Sequence, residues 1–557
     1  MRSICFYFQV QQPFRLRIYR FFDIGKNHDY FDEFQNRYIA RRVADKCYIP
    51  ANNIMLELIK EYGSRFKISY SISGTAIDQF EKYTPDVIES FKRLAETGCV
   101  EFLAETYTHS LSALKSKEEF KTQVMAHKQK IQDTFGVTPV TFRNTELIYS
   151  DEIGATVAEM GFNTMLTEGA KHILGWKSPN YMYCNAINPK LKLLLKNFQL
   201  SDDIAFRFSQ RSWNEWPLTT EKYVDWLNAI DPNQEVVNLF MDYETFGEHQ
   251  WPETGIFQFL KALPARVFSH SNFTFNTPSE LSNILQPVAA IHVPHPISWA
   301  DEERDLTAWL GNDLQDEAFD AIYAMENKVK ATNNFNIIAV WRYLQTSDHF
   351  YYMCTKWFSD GDVHKYFNPY GSPYEAFINY MNVISDFEIT VNKYLEKHNI
   401  DTSFFEETPN VEKPSKPEKQ KGLNDFLKLD VKEQKKIISK TGIQKFSTAF
   451  RNSNKKTKED ISKILTKKQL EIFYGSILIG LGFGTTEILG IYLKDTWSNY
   501  LLTDFIGVVL VHTVTASVYG YALAQMPRHN FFSLIHKRNR TLIAQIQRIN
   551  TYQSTSA

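Results

Sequence analysis

VVNLFMDYETFGEHQW, residues Val236–Trp251, sets the apolar run VVNLFM directly against a polar cluster holding Asp242, Glu244, Glu248 and His249. A buried strand that ends abruptly in carboxylates is how parallel α/β barrels present reacting groups: the strand fixes the backbone, and the loop beyond it lets side chains meet substrate. The stretch therefore reads as half of an active site. Its structural alternative is an acidic loop that merely follows a core strand.

Working outward, residues 1 to about 300 alternate short apolar runs with segments of helical period, the pattern of a parallel sheet crossed by helices. Strands are expected at Ile4–Val10, Lys67–Ser73, Val100–Glu105, Val140–Glu146, Thr164–Glu168, Val236–Asp242 and Ala289–Val293. Helices are expected at Ala51–Tyr62, Pro85–Thr97, Lys117–Phe135, Asp151–Met160 and Thr220–Ile230, with Gly98, Gly136 and Gly161 at C-cap positions. About seven such units favour a barrel over an open sheet. Several strands end in an acid, at Glu101 or Glu105, Glu146, Glu168 and Asp242, and a parallel barrel would gather these at one face. After Trp299 the period turns helical over Asp301–Ala331, Ile337–Tyr352 and Pro373–Asn399.

A chain of 557 residues, 43% hydrophobic and 15% aromatic, is long enough for a large core and more than one unit. Its 62 Lys and Arg nearly balance 64 Asp and Glu, which gives no signal for a nucleic-acid partner. The five cysteines show no CxxC or metal-like spacing, so neither a disulfide framework nor a zinc site is expected. The first apolar run, ICFYF, is too short for a signal-peptide core and passes into glutamines, which places the catalytic part in the cytoplasm.

The expected organisation is a catalytic barrel over 1–300, a helical region packed on it over 301–400, a charged linker with short helices over 401–470, and an apolar helical hairpin with a basic tail over 471–557. The linker core reads PNVEKPSKPEKQK, with too little apolar content to pack. Ile472–Leu493 and Leu501–Met526 are each long enough to cross a bilayer core of about 30 Å. Lys467 and Lys468 before the pair, and Arg528, Lys537, Arg538 and Arg540 after it, fit both ends in the cytoplasm, with membrane contact through residues 472–526. The alternative is a buried two-helix unit, since Glu487, Asp504 and His512 are costly in lipid. Glu487 in GFGTTE and His512 in VHTVTASVYG resemble part of the PrsW-type membrane metalloprotease family, without a double-glutamate motif ahead of them.

Cleaving a glycosidic bond takes two carboxyl groups, one ionised and one protonated, and the strongest pair by context is Glu146 in TFRNTELIYSDE with Asp242. Five motifs in order, FYFQVQQPFRLR, GCVEFLAETYTHSL, FRNTELIYSDEIG, NLFMDYETFGEHQW and ISWADEERDLTAWLGN, resemble the family 57 glycoside hydrolases over roughly residues 1–400. The resemblance implies an α/β fold, an incomplete (β/α)7 barrel followed by a helical region, acting with retention on α-glucosidic bonds of starch- or glycogen-like glucans by hydrolysis or transfer. It implies Glu146 as nucleophile, Asp242 as general acid/base and Glu101 at a sugar-binding strand end, with no metal or organic cofactor. Further substrate contacts are expected from Gln11, His109, Glu244, His249, Trp251, Trp299 and Asp301. Trp213 and Trp216 are further candidates for stacking on sugar faces. Arg143, three residues before Glu146, either keeps that carboxylate ionised or faces outward to another partner. Where the family carries His-Gln-Pro, this chain has Gln11-Gln12-Pro13, and glutamine cannot become cationic as imidazole does. That departure supports a rival expectation: a glucan-binding or regulatory protein that keeps the barrel with impaired chemistry.

Overall fold

The computed structural model describes residues 2–356 and 368–401. The linker beyond 401, the apolar hairpin over 471–557, and Glu487 and His512 lie outside the described residues. Among the described residues no helix is long and apolar enough to cross a membrane.

Among the described residues ten strands form: β1 Arg2–Val10, β2 Ile68–Ile72, β3 Val100–Phe102, β4 Thr141–Arg143, β5 Thr164–Glu168, β6 Tyr183–Asn185, β7 Lys192–Lys196, β8 Val236–Asp242, β9 Phe273–Phe275 and β10 Ala290–Ile291. One sheet runs β3-β2-β1-β8, with β9 beside the start of β1; the other runs β10-β6-β7-β5-β4. Backbone bonds join the sheets at both seams. Ala104 donates to Thr141 at 2.9 Å and Arg143 to Ala104 at 2.9 Å, while Asn197 donates to Asn238 at 2.9 Å. The Asn238 amide adds a bond to the Leu195 carbonyl at 2.8 Å, in place of a β7–β8 ladder. Going round, β1, β2, β3, β4, β5, β7 and β8 close an incomplete barrel, all parallel where they are laddered, and antiparallel β6 hangs on β7 with β10.

The period of two assigns each strand's faces. Ile4, Phe6, Phe8 and Val10 point out to helices Ile49–Tyr62, Pro85–Ala95 and Ile256–His270, whereas Cys5 and Tyr7 point into a small barrel core with Leu103, Leu166, Leu194, Val236 and Phe240. Continuing the same alternation puts Gln9, Arg143, Glu168, Lys196 and Asp242 inward at the C-terminal ends of their strands. Register agrees, since Gln9 pairs with both Ser71 and Asp242.

Several expected elements shift, each for a local reason. β3 stops at Phe102 and β4 at Arg143, because the residues beyond bend to form the seam and then the site. Strands β6, β7 and β9 were not expected; KLLLK and FTF are too short for a period to register. The helix expected from Asp301 begins at Asp313, since Asp301 and Arg304 take positive φ of 54° and 52°. The expected Ile337–Tyr352 helix splits into Phe335–Tyr343 and Ser347–Tyr351, and the break turns Ser347 and Asp348 toward the barrel mouth. These helices and Pro373–Lys397 share one apolar cluster with the β4–β5–β7 half of the barrel. Trp309 and Trp341 are buried in that cluster.

Candidate active site

At the C-terminal mouth of the barrel lies a pocket lined by Gln9, Gln11, His109, Glu146, Asp242, Glu244, His249, Trp299, Asp348, Tyr351 and Tyr352. Seven expected residues meet there: Gln11, His109, Glu146, Asp242, Glu244, His249 and Trp299. Three do not. Glu101 points inward but sits within β3, paired with Ser69, a layer below the mouth. It accepts hydrogen bonds from Thr141 and from the Ser279 amide and hydroxyl, at 2.5, 2.9 and 2.8 Å. Four residues on and of the same parity, Glu105 reaches the site's supporting network instead. Trp251 is more than half exposed and outside the pocket, and buried Asp301 pairs with Lys356 at 3.1 Å. Trp213 packs on Trp226 and is not part of the lining.

Glu146 and Leu147 both take left-handed backbone conformations, φ 56° and 52°. Such non-glycine residues cost about 1–3 kcal/mol each, and hydrogen bonds to a charged group return about 1.5–3 kcal/mol each. Two donors reach the carboxylate, the Trp299 indole Nε1 at 2.8 Å and the Ser347 hydroxyl at 2.8 Å. His109 Nε2 stands 3.5 Å away, and its Nδ1 bonds Glu105 at 2.6 Å. Burial opposes charge on this imidazole, but the carboxylates of Glu105 and Glu146 outweigh it and raise its pKa to about 9. Burial alone would push Glu146 up; the His109 contact, the Arg143 charge and the Ser347 bond instead draw it down to about 2.

Asp242 has the opposite surroundings. Burial, and then the facing Glu146 charge, raise it to about 6 against the pull of Arg143, Lys196 and His109. Glu244 goes further, to about 8, through burial and then Asp242. It accepts hydrogen bonds from the Tyr48 hydroxyl and, at 3.3 Å, from Gln12. Gly247, at φ 110°, makes the turn that carries His249: a Cβ there would lie 2.0 Å from the Lys46 carbonyl oxygen.

Gln11 is fully engaged. Its amide nitrogen donates to Asp348 at 3.2 Å, while its oxygen accepts from Ser73 and from Thr75 at 3.2 Å. Arg143 faces inward, wholly buried, with its guanidinium 4.8 Å from the centre of the Trp299 ring. Sequence reading missed Gln9, Ser347, Asp348, Tyr351 and Tyr352. The polar break LQTSD within an apolar-periodic stretch was the signal available for Ser347 and Asp348. Among the described residues no three His, Cys, Asp or Glu side chains group so as to hold a metal ion.

One carboxyl drawn well below its ordinary pKa and another raised above it, at the mouth of a parallel barrel, is the division of labour that glycoside hydrolysis uses. The chain is a glycoside hydrolase: residues 5–294 match the profile of glycosyl hydrolase family 57, and the chain belongs to that family. It is 42% identical over 414 residues to a provisionally named α-amylase of Methanocaldococcus jannaschii, covering 72% of this chain and 86% of that one. Alpha-amylase 1 of Dictyoglomus thermophilum is 23% identical over 325 residues, 56% of this chain and 43% of the relative. The structure of a family 57 branching enzyme from Thermococcus kodakaraensis aligns with TM-score 0.50 at 13% identity, covering 72% of this chain and 96% of that one. At that identity the likeness concerns the fold, which is (β/α)7-barrel-like.

Proposed function

We propose that the protein acts on α-glucans with retention, Glu146 serving as nucleophile and Asp242 as general acid/base. The observation that carries this reading is the opposed setting of the two carboxyls, at about 2 and about 6, in one pocket. Glu146 attacks the anomeric carbon as the glycosidic C–O bond breaks, and Asp242 gives its proton to the departing oxygen. The Asp242 carboxylate then takes a proton from water or a sugar hydroxyl, which displaces Glu146 and completes hydrolysis or transfer. Gln11, His109, Glu244 and His249, with Asp348, supply donors and acceptors for the hydroxyls of the reacting sugar, Trp299 lines the same pocket, and the α-amylase names of its relatives support a glucan substrate.

The test is reducing-sugar release from amylose and glycogen, with a product profile from maltoheptaose to separate hydrolysis from transfer. Turnover that Glu146→Gln lowers at least about a thousandfold supports the proposal. Tight glucan binding without turnover by the folded wild type would favour the regulatory alternative raised by Gln11.

A further inference from the structure

Two buried cations approach one ring beside Glu146. Arg143 is completely buried, and Nε, Nη1 and Nη2 of its guanidinium find no hydrogen-bond acceptor among the described residues. A group with five donors rarely goes unpaired in a core, and the contact it does make is with the Trp299 ring, 4.8 Å from its centre. Lys196, the last residue of β7, brings its ammonium to 5.4 Å from the same centre. Asp202, at 2.9 Å, and Glu168, at 3.9 Å, hold that ammonium in place. The indole in turn donates Nε1–H to Glu146 Oε2 at 2.8 Å, and the Trp299 amide donates to the Glu146 carbonyl at 3.2 Å. Arg304 donates to the Trp299 carbonyl oxygen and meets Asp202 at 3.4 Å, so the tryptophan is fixed at both backbone and ring.

We propose that Arg143 and Lys196 are positioning residues that act through the Trp299 indole, their charges drawing electron density from the ring so that its N–H binds the Glu146 carboxylate more strongly and fixes it for attack. The proposal rests on the reading of Glu146 as nucleophile. A cation over a desolvated ring is attracted by its negative face, and withdrawing π density leaves the indole N–H a better donor to an anion. Neither cation lines the pocket. The charged and titratable groups around Glu146 are His109 with Glu105 behind it, Arg143 from β4, Lys196 from β7, Asp242 from β8 and Asp348 from the helix Ser347–Tyr351. Arg143 also acts on Glu146 directly by charge, which makes Lys196 the informative position.

The acidic limb of kcat/KM reports Glu146. Lys196→Met is expected to move it up by about one pH unit where Trp299 is present and not to move it in the Trp299→Phe background, with Lys196→Arg restoring the wild-type limb. The same displacement in both backgrounds would mean plain charge–charge interaction and would overturn the proposal, as would no displacement in either. Lys196→Gln replaces the methionine variant if that one does not fold. Turnover surviving in Glu146→Gln would instead remove the catalytic reading. The ring contact is then judged by the Trp299 indole N–H resonance, assigned from its loss in Trp299→Phe. It is expected to move upfield in Lys196→Met and Arg143→Met, and a fixed resonance overturns the proposal on its own.

Discussion

Glu146 and Asp242 are both carboxyls at strand ends, both half-buried and both in one pocket, yet the protein treats them oppositely. Glu146 receives two hydrogen bonds and an adjacent imidazole that two carboxylates keep charged. Among the described residues no hydrogen bond reaches the Asp242 side chain, whose strongest influences are burial and the negative charge of Glu146. The contrast teaches that residue type does not assign the chemical role. Donors do, and most of them come from outside the barrel strands: Trp299 from the loop after β10, Ser347 from the helical region, His109 from the turn after β3.

Removing the proposed proton donor tests the contrast most severely. Asp242→Asn is expected to cut kcat on glucans by about 10²–10⁴-fold, and much less on an aryl α-glucoside whose leaving group departs without a proton. Equal losses on both substrates would break the assignment. The second test attacks the other side of the pocket. His109→Gln withdraws the cation that keeps Glu146 ionised, so the carboxylate pKa rises, the acidic limb of kcat/KM climbs from near pH 2, and kcat falls by about a hundredfold. In the wild type the alkaline limb should lie near pH 6, activity falling as Asp242 loses its proton. A profile flat from pH 5 to 8 would contradict that setting.

Much of this contrast was legible in the sequence, but not evenly. Strand ends such as VVNLFMD announce themselves because an apolar run stops at an acid, and period-two alternation then fixes which way Asp242 points. Glu146 and Asp242, and the motif histidines His109 and His249, were found that way or through family resemblance. Glu101 misled because strand length sets depth in a barrel: β3 is three residues long, so the acid inside it stays below the mouth. Trp251 and Asp301 sit in matching motifs but beyond the pocket, since a motif marks a segment and not the direction of each side chain. Asp348, Tyr351 and Tyr352 were hidden for a different reason. They lie about a hundred residues past β8, in a stretch whose apolar period promised one continuous helix, and only the break at Leu344–Thr346 delivers them to the site.

Glu244 extends the contrast to stability. Its folded pKa, about 8, lies above the ordinary carboxyl value of about 4.3, so the protonated folded state is favoured; that contribution is complete below about pH 4.3 and is lost as pH rises through 8. Glu244→Gln should therefore flatten the fall in Tm between about pH 5 and 8 by a few degrees, read by thermal unfolding. An unchanged slope would place the protonation elsewhere.

The smallest effect is expected at Gln11, and it bears on whether the first motif weakens the chemistry. Gln11 already does two things a neutral imidazole can do: it accepts from the Ser73 and Thr75 side and donates to Asp348. What it cannot do is carry charge beside Asp348, whose carboxyl burial raises above its ordinary value. A histidine there would pair with that carboxylate and offer the reacting sugar a stronger donor. Gln11→His is accordingly expected to raise kcat on maltoheptaose about two- to fivefold, with KM nearly unchanged, because the gain belongs to the transition state. Equal or lower turnover would mean that the hydrogen bonds of Gln11, rather than a charge, are what this side of the pocket requires.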